Sequence, residues 1–223
     1  MTGKRTTIPV IKQDIDMSLS KRVQNRIKQK PKYWVFSAAD FIDLGSRAAV
    51  ERILSRISKA GDIDRLSRGL YKRPSFIALL NGKKAVASVP AIVAALAKKD
   101  GVIIVSSSGD ATNSLGLTNL VQGTNIYFTT GKSRTLFIDG CTIKLKYMGG
   151  KLLKWVDSPA LPAVQAILWL GKDVLGSNNA LQSRLLSNIS SQAKSDLLKN
   201  KLFLPAWAQE IVKVAPKLIK RDL

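Results

Sequence analysis

The chain has 223 residues, enough for one large domain or two small ones, and 45% of them are hydrophobic, so a packed core is expected rather than a disordered chain. It carries 36 lysines and arginines against 15 acidic residues, a formal charge of +21, which favours a polyanionic partner: nucleic acid first, an anionic membrane surface second. Histidine is absent and Cys141 is the one cysteine, which excludes histidine-based triads, histidine acid–base catalysis, the common zinc sites and a disulfide within the chain.

In chain order, residues 1–16 read as a basic flexible arm with no apolar stretch of the kind a secretory signal needs. Ser18 or Ser20 can cap a helix running to about Lys30, with Leu19, Val23 and Ile27 on one apolar stripe. Lys21, Arg22, Arg26 and Lys28 cover its other faces, and Pro31 ends it. From Met17 to Ala39 there are six basic residues and no acidic one. The run Tyr33–Phe36 is apolar and β-prone. Ser37 then caps a short helix over Ala38–Leu44, Gly45 turns the chain, and Ser46 caps a helix over Arg47–Ala60 that stops at Gly61. Its buried face is Ala49, Val50, Ile53, Leu54 and Ile57. Residues 62–73 alternate as a β-hairpin with Ser67-Arg68-Gly69 at its tip or bulge, and Pro74 closes the unit. Helix, short strand, helix, glycine turn, helix and hairpin follow one another in winged helix-turn-helix order.

A connector near residues 76–84 leads to a second domain. Its helix starts at Ser88-Val89-Pro90 and runs to Lys99. A buried strand over Val102–Val105 follows, then a short segment over Ala111–Leu117. Strand-like runs come next at Asn125–Thr130, Arg134–Ile138 and Thr142–Met148, with turns at Gly131-Lys132-Ser133 and Asp139-Gly140. The remainder reads as helices over about 160–171, 178–200 and 205–220. Trp155, Trp169, Trp207 and Tyr147 are expected in the core or at a domain interface. The longest apolar stretch, Ala85–Ala97, is interrupted by Ser88 and Pro90 and is shorter than the roughly 18 residues of a membrane span. A soluble, cytoplasmic protein is expected, without membrane contact. The fold class is α+β: an N-terminal winged helix over 17–80, then a mixed C-terminal domain over 81–223 with a small, mainly antiparallel sheet and terminal helices.

The helix at 47–60 is the expected recognition helix. A major groove admits one α-helix and is read from its N-terminal and outward positions. Arg47 and Arg52 suit guanine edges or phosphates, Ser46 suits a phosphate at the helix start, and Arg56 and Lys59 suit the backbone. Lys21, Arg22 and Arg26 of the first helix join this expected DNA surface. Arg65, Arg68, Lys72 and Arg73 of the wing would lie along the adjacent minor groove. Strings that resemble enzyme motifs fail: Gly131-Lys132-Ser133 lacks the upstream P-loop glycine, since that position is Ile126. The polar segment 108–117 reads as a capped turn, or as a functional site with Asp110 and Asn113 orienting a metal or phosphate. No catalytic residue, resident metal or cofactor is otherwise expected.

Trp34-Val35-Phe36-Ser37-Ala38-Ala39-Asp40-Phe41, Ala48-Ala49-Val50, Leu54-Ser55-Arg56, Gly61-Asp62-Ile63-Asp64-Arg65-Leu66 and Arg68-Gly69-Leu70-Tyr71 resemble the winged-helix region of AbiEi-type antitoxins, from bacterial abortive-infection toxin–antitoxin systems. Ser108-Gly109 through Asn113-x-Leu115-Gly116-Leu117 is similar to the start of that family's C-terminal domain. The likeness covers about residues 33–130. The basic helix and arm before Tyr33 are additional to it.

This resemblance implies a type IV antitoxin of a phage-defence system that represses its own operon and neutralises a nucleotidyltransferase-like toxin, directly or indirectly. The implied DNA partner is double-stranded promoter DNA carrying a repeat operator, which suits a homodimer. Two alternatives stay open. One is a regulator whose C-terminal domain is a phosphotransferase acting on the toxin. The other is a stand-alone transcription factor.

Overall fold

The computed structural model describes residues 17–74, 76–77, 83–106, 108–118 and 125–213; the arm expected over 1–16, the connector residues 78–82 and the part of the expected last helix after Lys213 lie outside the described residues. The fold is α+β. It divides into two compact units, one of residues 1–101 with 138–140, the other of residues 102–137 with 141–223.

In the first unit, α1 (Leu19–Gln29) is capped by Ser18, whose hydroxyl accepts from the Lys21 amide at 3.4 Å. Val23 and Ile27 of α1 are buried. Strand β1 is only Val35–Phe36. Tyr33, expected in that strand, instead occupies a turn at φ 73°, and the Trp34 amide bonds back to the Pro31 carbonyl.

The expected helix over 38–44 is a single 3-10 turn, Ala38–Phe41, held by a Ser37/Asp40 capping box. An α-helix would have given the Asp40 carbonyl to the Leu44 amide. Here Arg26 Nη1 donates to that carbonyl at 3.0 Å, and the Leu44 amide bonds to Phe41 instead. Helix α2 (Arg47–Lys59) begins at Ser46, whose hydroxyl accepts from the Ala49 amide, and buries Val50, Leu54 and Ile57. These side chains share a core with Val23, Ile27, Phe36, Phe41, Ile63 and Tyr71. Trp34 stacks on Phe36 at 4.5 Å, and Phe36 meets Phe41 edge-on at 5.8 Å.

Strands β2 (Asp64–Ser67) and β3 (Leu70–Lys72) form an antiparallel hairpin with a bulge between Arg65 and Ser67. β3 is central, in the order β1-β3-β2, and all three of its residues are buried. The short strands β4 (Phe76–Ile77) and β5 (Lys83–Lys84) pair antiparallel. Helix α3 (Val89–Asp100) lies against β1, the 3-10 turn and β3. It buries Ile92, Val93, Ala95 and Leu96. This packing carries the first unit to Gly101, beyond the residue-80 boundary expected from the sequence.

The second unit holds β6 (Ile104–Ser106), α4 (Ser108–Ser114), β7 (Asn125–Thr129), β8 (Arg134–Ile138) and β9 (Cys141–Tyr147), apart from the turn that joins β8 to β9. Its sheet runs β6-β7-β9-β8. β6 and β7 are antiparallel, but β7 and β9 are parallel, so residues 131–133 are no simple hairpin turn. Asp139 and Gly140 both have positive φ, 51° and 82°, the backbone that a tight two-residue β-turn demands.

The helices α5 (Gly150–Leu153), α6 (Leu161–Gly171), α7 (Asn179–Ser187), α8 (Ser191–Lys199) and α9 (Ala206–Lys213) close a core around Trp155, Ile167, Leu175, Leu185 and Leu197. The continuous helix expected over 178–200 is broken. Ile189 is buried, Ser190 takes extended backbone, and its hydroxyl caps α8 at the Ala193 amide. Trp155 is in the core, but Trp169 and Tyr147 are 41% and 63% exposed. Among the described residues no helix is long and apolar enough to cross a membrane.

Candidate nucleic-acid interface

Helix α2 is amphipathic because its apolar residues recur at helical spacing and its basic residues fill the gaps. With Val50, Leu54 and Ile57 buried, the opposite face exposes Arg47, Glu51, Arg52, Arg56 and Lys59. Arg47 Nε donates to Glu51 Oε1 at 3.0 Å, and both side chains are more than half exposed. Arg56 Nη2 donates to the Ser20 hydroxyl at 2.9 Å, tying this face to α1. Ser46 remains at the exposed helix start, its hydroxyl oxygen engaged as a cap and its O–H proton free to donate.

The β2–β3 turn presents two further arginines. Arg65 is exposed, its Nε directed at the Ser67 carbonyl at 3.4 Å, and Arg68 is exposed at the turn. Gly69 beside it takes φ +71°, a conformation that other residues reach only with strain. A cleft of about 430 Å³ opens between α2 and this turn, lined by Arg47, Glu51, Arg65, Arg68 and, from α3, Lys99. Lys99 escaped the sequence reading. It stands in the basic last turn of α3, an ordinary place for lysine, and only the packing of α3 brings it to the cleft.

Three residues expected on the DNA surface are engaged elsewhere. Arg26 forms a two-pronged ion pair with Asp43, both contacts at 2.6 Å, and lies over the Phe41 ring at 5.8 Å. The Arg26 hydrogen bond holds the Asp43 carboxyl below the usual carboxylate range, and the same bond raises Arg26. Lys72, expected to be exposed on the wing, is buried: its ammonium donates to the Ala85 carbonyl at 2.7 Å and to Asp139 at 2.8 Å. Arg73 Nη1 donates to the carbonyls of Lys28 and Lys30, closing the end of α1. Of the α1 residues, Lys21 is exposed and Arg22 half-buried.

Asp110 and Asn113 lie on α4, in the second unit. Asp110 is exposed. Asn113 Oδ1 accepts from the Thr118 hydroxyl at 2.6 Å, and its carbonyl accepts from the Gly116 amide at 2.8 Å, so it closes the end of the helix. Burial, and then the charge of Asp110, raise the Tyr127 hydroxyl above its ordinary pKa. Among the described residues no group of three or more histidine, cysteine or acidic side chains is placed to hold a metal ion.

A family model described as a family of unknown function, DUF6088, matches residues 22–196. No curated protein and no solved structure matches the chain.

Proposed function

The chain belongs to the DUF6088 family, and from the geometry above we propose a DNA-binding transcriptional repressor that is also the antitoxin of an AbiE-like, type IV toxin–antitoxin system. One observation carries the DNA-binding half. Arg47, Arg65 and Arg68 line one cleft, and Arg52, Arg56 and Lys59 line the groove that shares Glu51 and Ser55 with it, in a unit whose elements follow the order expected of a winged helix. In this reading α2 enters the major groove, the β2–β3 hairpin is the wing, and Lys21 and Arg22 of α1 add backbone contacts. Arg26, Lys72 and Arg73 hold the unit together and do not touch DNA.

The antitoxin half is supported by the resemblance of residues 33–130 to AbiEi-type antitoxins. The second unit would counter a nucleotidyltransferase-like toxin in the cytoplasm, and the chain would act on a repeat operator as a homodimer. The reading assigns the chain no catalytic residue, metal or cofactor.

A gel-shift titration on the chain's own promoter tests the first half. The expected result is retention of the promoter at concentrations that leave random duplex free, with affinity falling steeply as salt rises, because bound cations release condensed counterions. Equal affinity for promoter and random duplex would refute a sequence-specific repressor. The antitoxin half predicts a nucleotidyltransferase gene beside this one and rescue, by this chain, of cells expressing it.

A further inference from the structure

We propose that the cleft between α2 and the β2–β3 turn seats a phosphodiester of the DNA backbone, and that Lys99 of α3 is one of the cations that hold it. The inference rests on the DNA-binding reading and adds to it a specific site and a residue from outside the winged-helix elements. Three cations converge on the cleft to meet the phosphate, Arg65 and Arg68 from the hairpin and Lys99 from α3; Arg47 of α2 also lines it but is left to the base edges. The carboxylate lining it is Glu51, already paired with Arg47 at 3.0 Å. Lys99 also has Asp100 at 3.6 Å, a loose contact that a phosphate can outcompete.

Position argues the same way. A helix in the major groove and a hairpin in the neighbouring minor groove are separated by one sugar–phosphate strand, which must run through the space between them. That space is this cleft, about 430 Å³ in volume, enough for a phosphate and its flanking sugar edges. The Lys99 stem lies along the turn: a Cβ added to Gly69 would stand 3.4 Å from Lys99 Cε. Its neighbour Lys98 bears the same charge but pairs with Asp40 at 3.0 Å and lines a different pocket with Arg26 and Trp34.

That neighbour supplies the control. Dissociation constants of the full chain are measured by fluorescence anisotropy on promoter duplex and on random duplex over a range of salt, for the wild type, Lys99→Gln and Lys98→Gln. Adenosine triphosphate and inorganic triphosphate are titrated as competitors, and thermal melts verify folding. Lys99→Gln is expected to weaken both duplexes about fivefold and to flatten the plot of log affinity against log salt by about one unit. Lys98→Gln is expected to leave both affinities within about twofold. Equal losses in the two variants would reduce Lys99 to general surface charge and overturn the site, as would no loss at Lys99. Displacement of DNA by adenosine triphosphate but not by inorganic triphosphate at the same concentration, abolished by Lys99→Gln, would make the cleft a nucleotide site instead. If the wild type binds neither duplex, the DNA-binding reading falls as well; if it binds and Lys99→Gln is silent, only this inference falls.

Discussion

Lys72 is a charged side chain in a place where charge is costly. Its strand neighbours Leu70 and Tyr71 are buried, and it is buried with them. Its charge is matched by Asp139 at 2.8 Å, and Asp139 also accepts from the Ala87 amide at 2.6 Å. Removing one partner of such a pair leaves the other charged and desolvated; Lys72 would lose its paired carboxylate and keep the Ala85 carbonyl. Asp139→Asn is therefore expected to cost about 3 kcal/mol in urea unfolding, and the double variant with Lys72→Met to recover most of that loss. A loss under about 1 kcal/mol would mean that the pair is effectively solvated. This partnership was not legible in the sequence. The partners are 67 positions apart, and a lysine after a Gly-Leu-Tyr run reads as the outward residue of a hairpin. The same blindness covers Arg26 and Arg73: composition counts a cation, and only the fold tells whether it points to solvent, to Asp43 or to the carbonyls at the end of α1.

Elements were more legible where local chemistry decides them. Ser46 and Gly61 bracket α2 because a serine hydroxyl can satisfy a free helix amide, and glycine can take φ +87° after the last turn. The hairpin tip follows from Gly69 at φ +71°. A methyl group there would meet left-handed backbone strain, with the Lys99 stem in ordinary contact at 3.4 Å. Gly69→Ala is expected to lower stability by about 1–2 kcal/mol and to weaken DNA binding by displacing Arg68. A thermal melt unchanged from the wild type would show that the turn tolerates a side chain. Elements decided by distant pairing were less legible. The parallel pairing of β7 with β9 depends on which strand β8 flanks, and hydrophobic alternation does not encode that choice. The break between α7 and α8 is set by Ile189 turning into the core, while Asn188 donates to the Leu115 carbonyl at 2.8 Å.

At the scale of the whole chain, the first unit needs α3. Ile92, Val93 and Leu96 are buried, and each such side chain contributes about 1.5–3 kcal/mol when removed from water. Fragments cut after Gly101 and after residue 80 both lose Asp139, the partner of Lys72, so they are compared with each other: the longer is expected to melt well above the shorter, and equal melting would show that α3 adds nothing to the unit. A charge of +21 would account for general affinity for nucleic acid but not for the proposed sequence preference, which requires a helix reading base edges. Methylation protection measures that reading directly, because dimethyl sulfate attacks guanine N7 on the floor of the major groove, where Arg47 would make its contact. With the full chain bound to its promoter, discrete guanines in repeated half-sites should be protected, and Arg47→Ala should lose that protection at one position per half-site while the duplex stays bound. Saturating binding with no guanine N7 protected anywhere in the promoter would contradict the placement of α2 in the major groove.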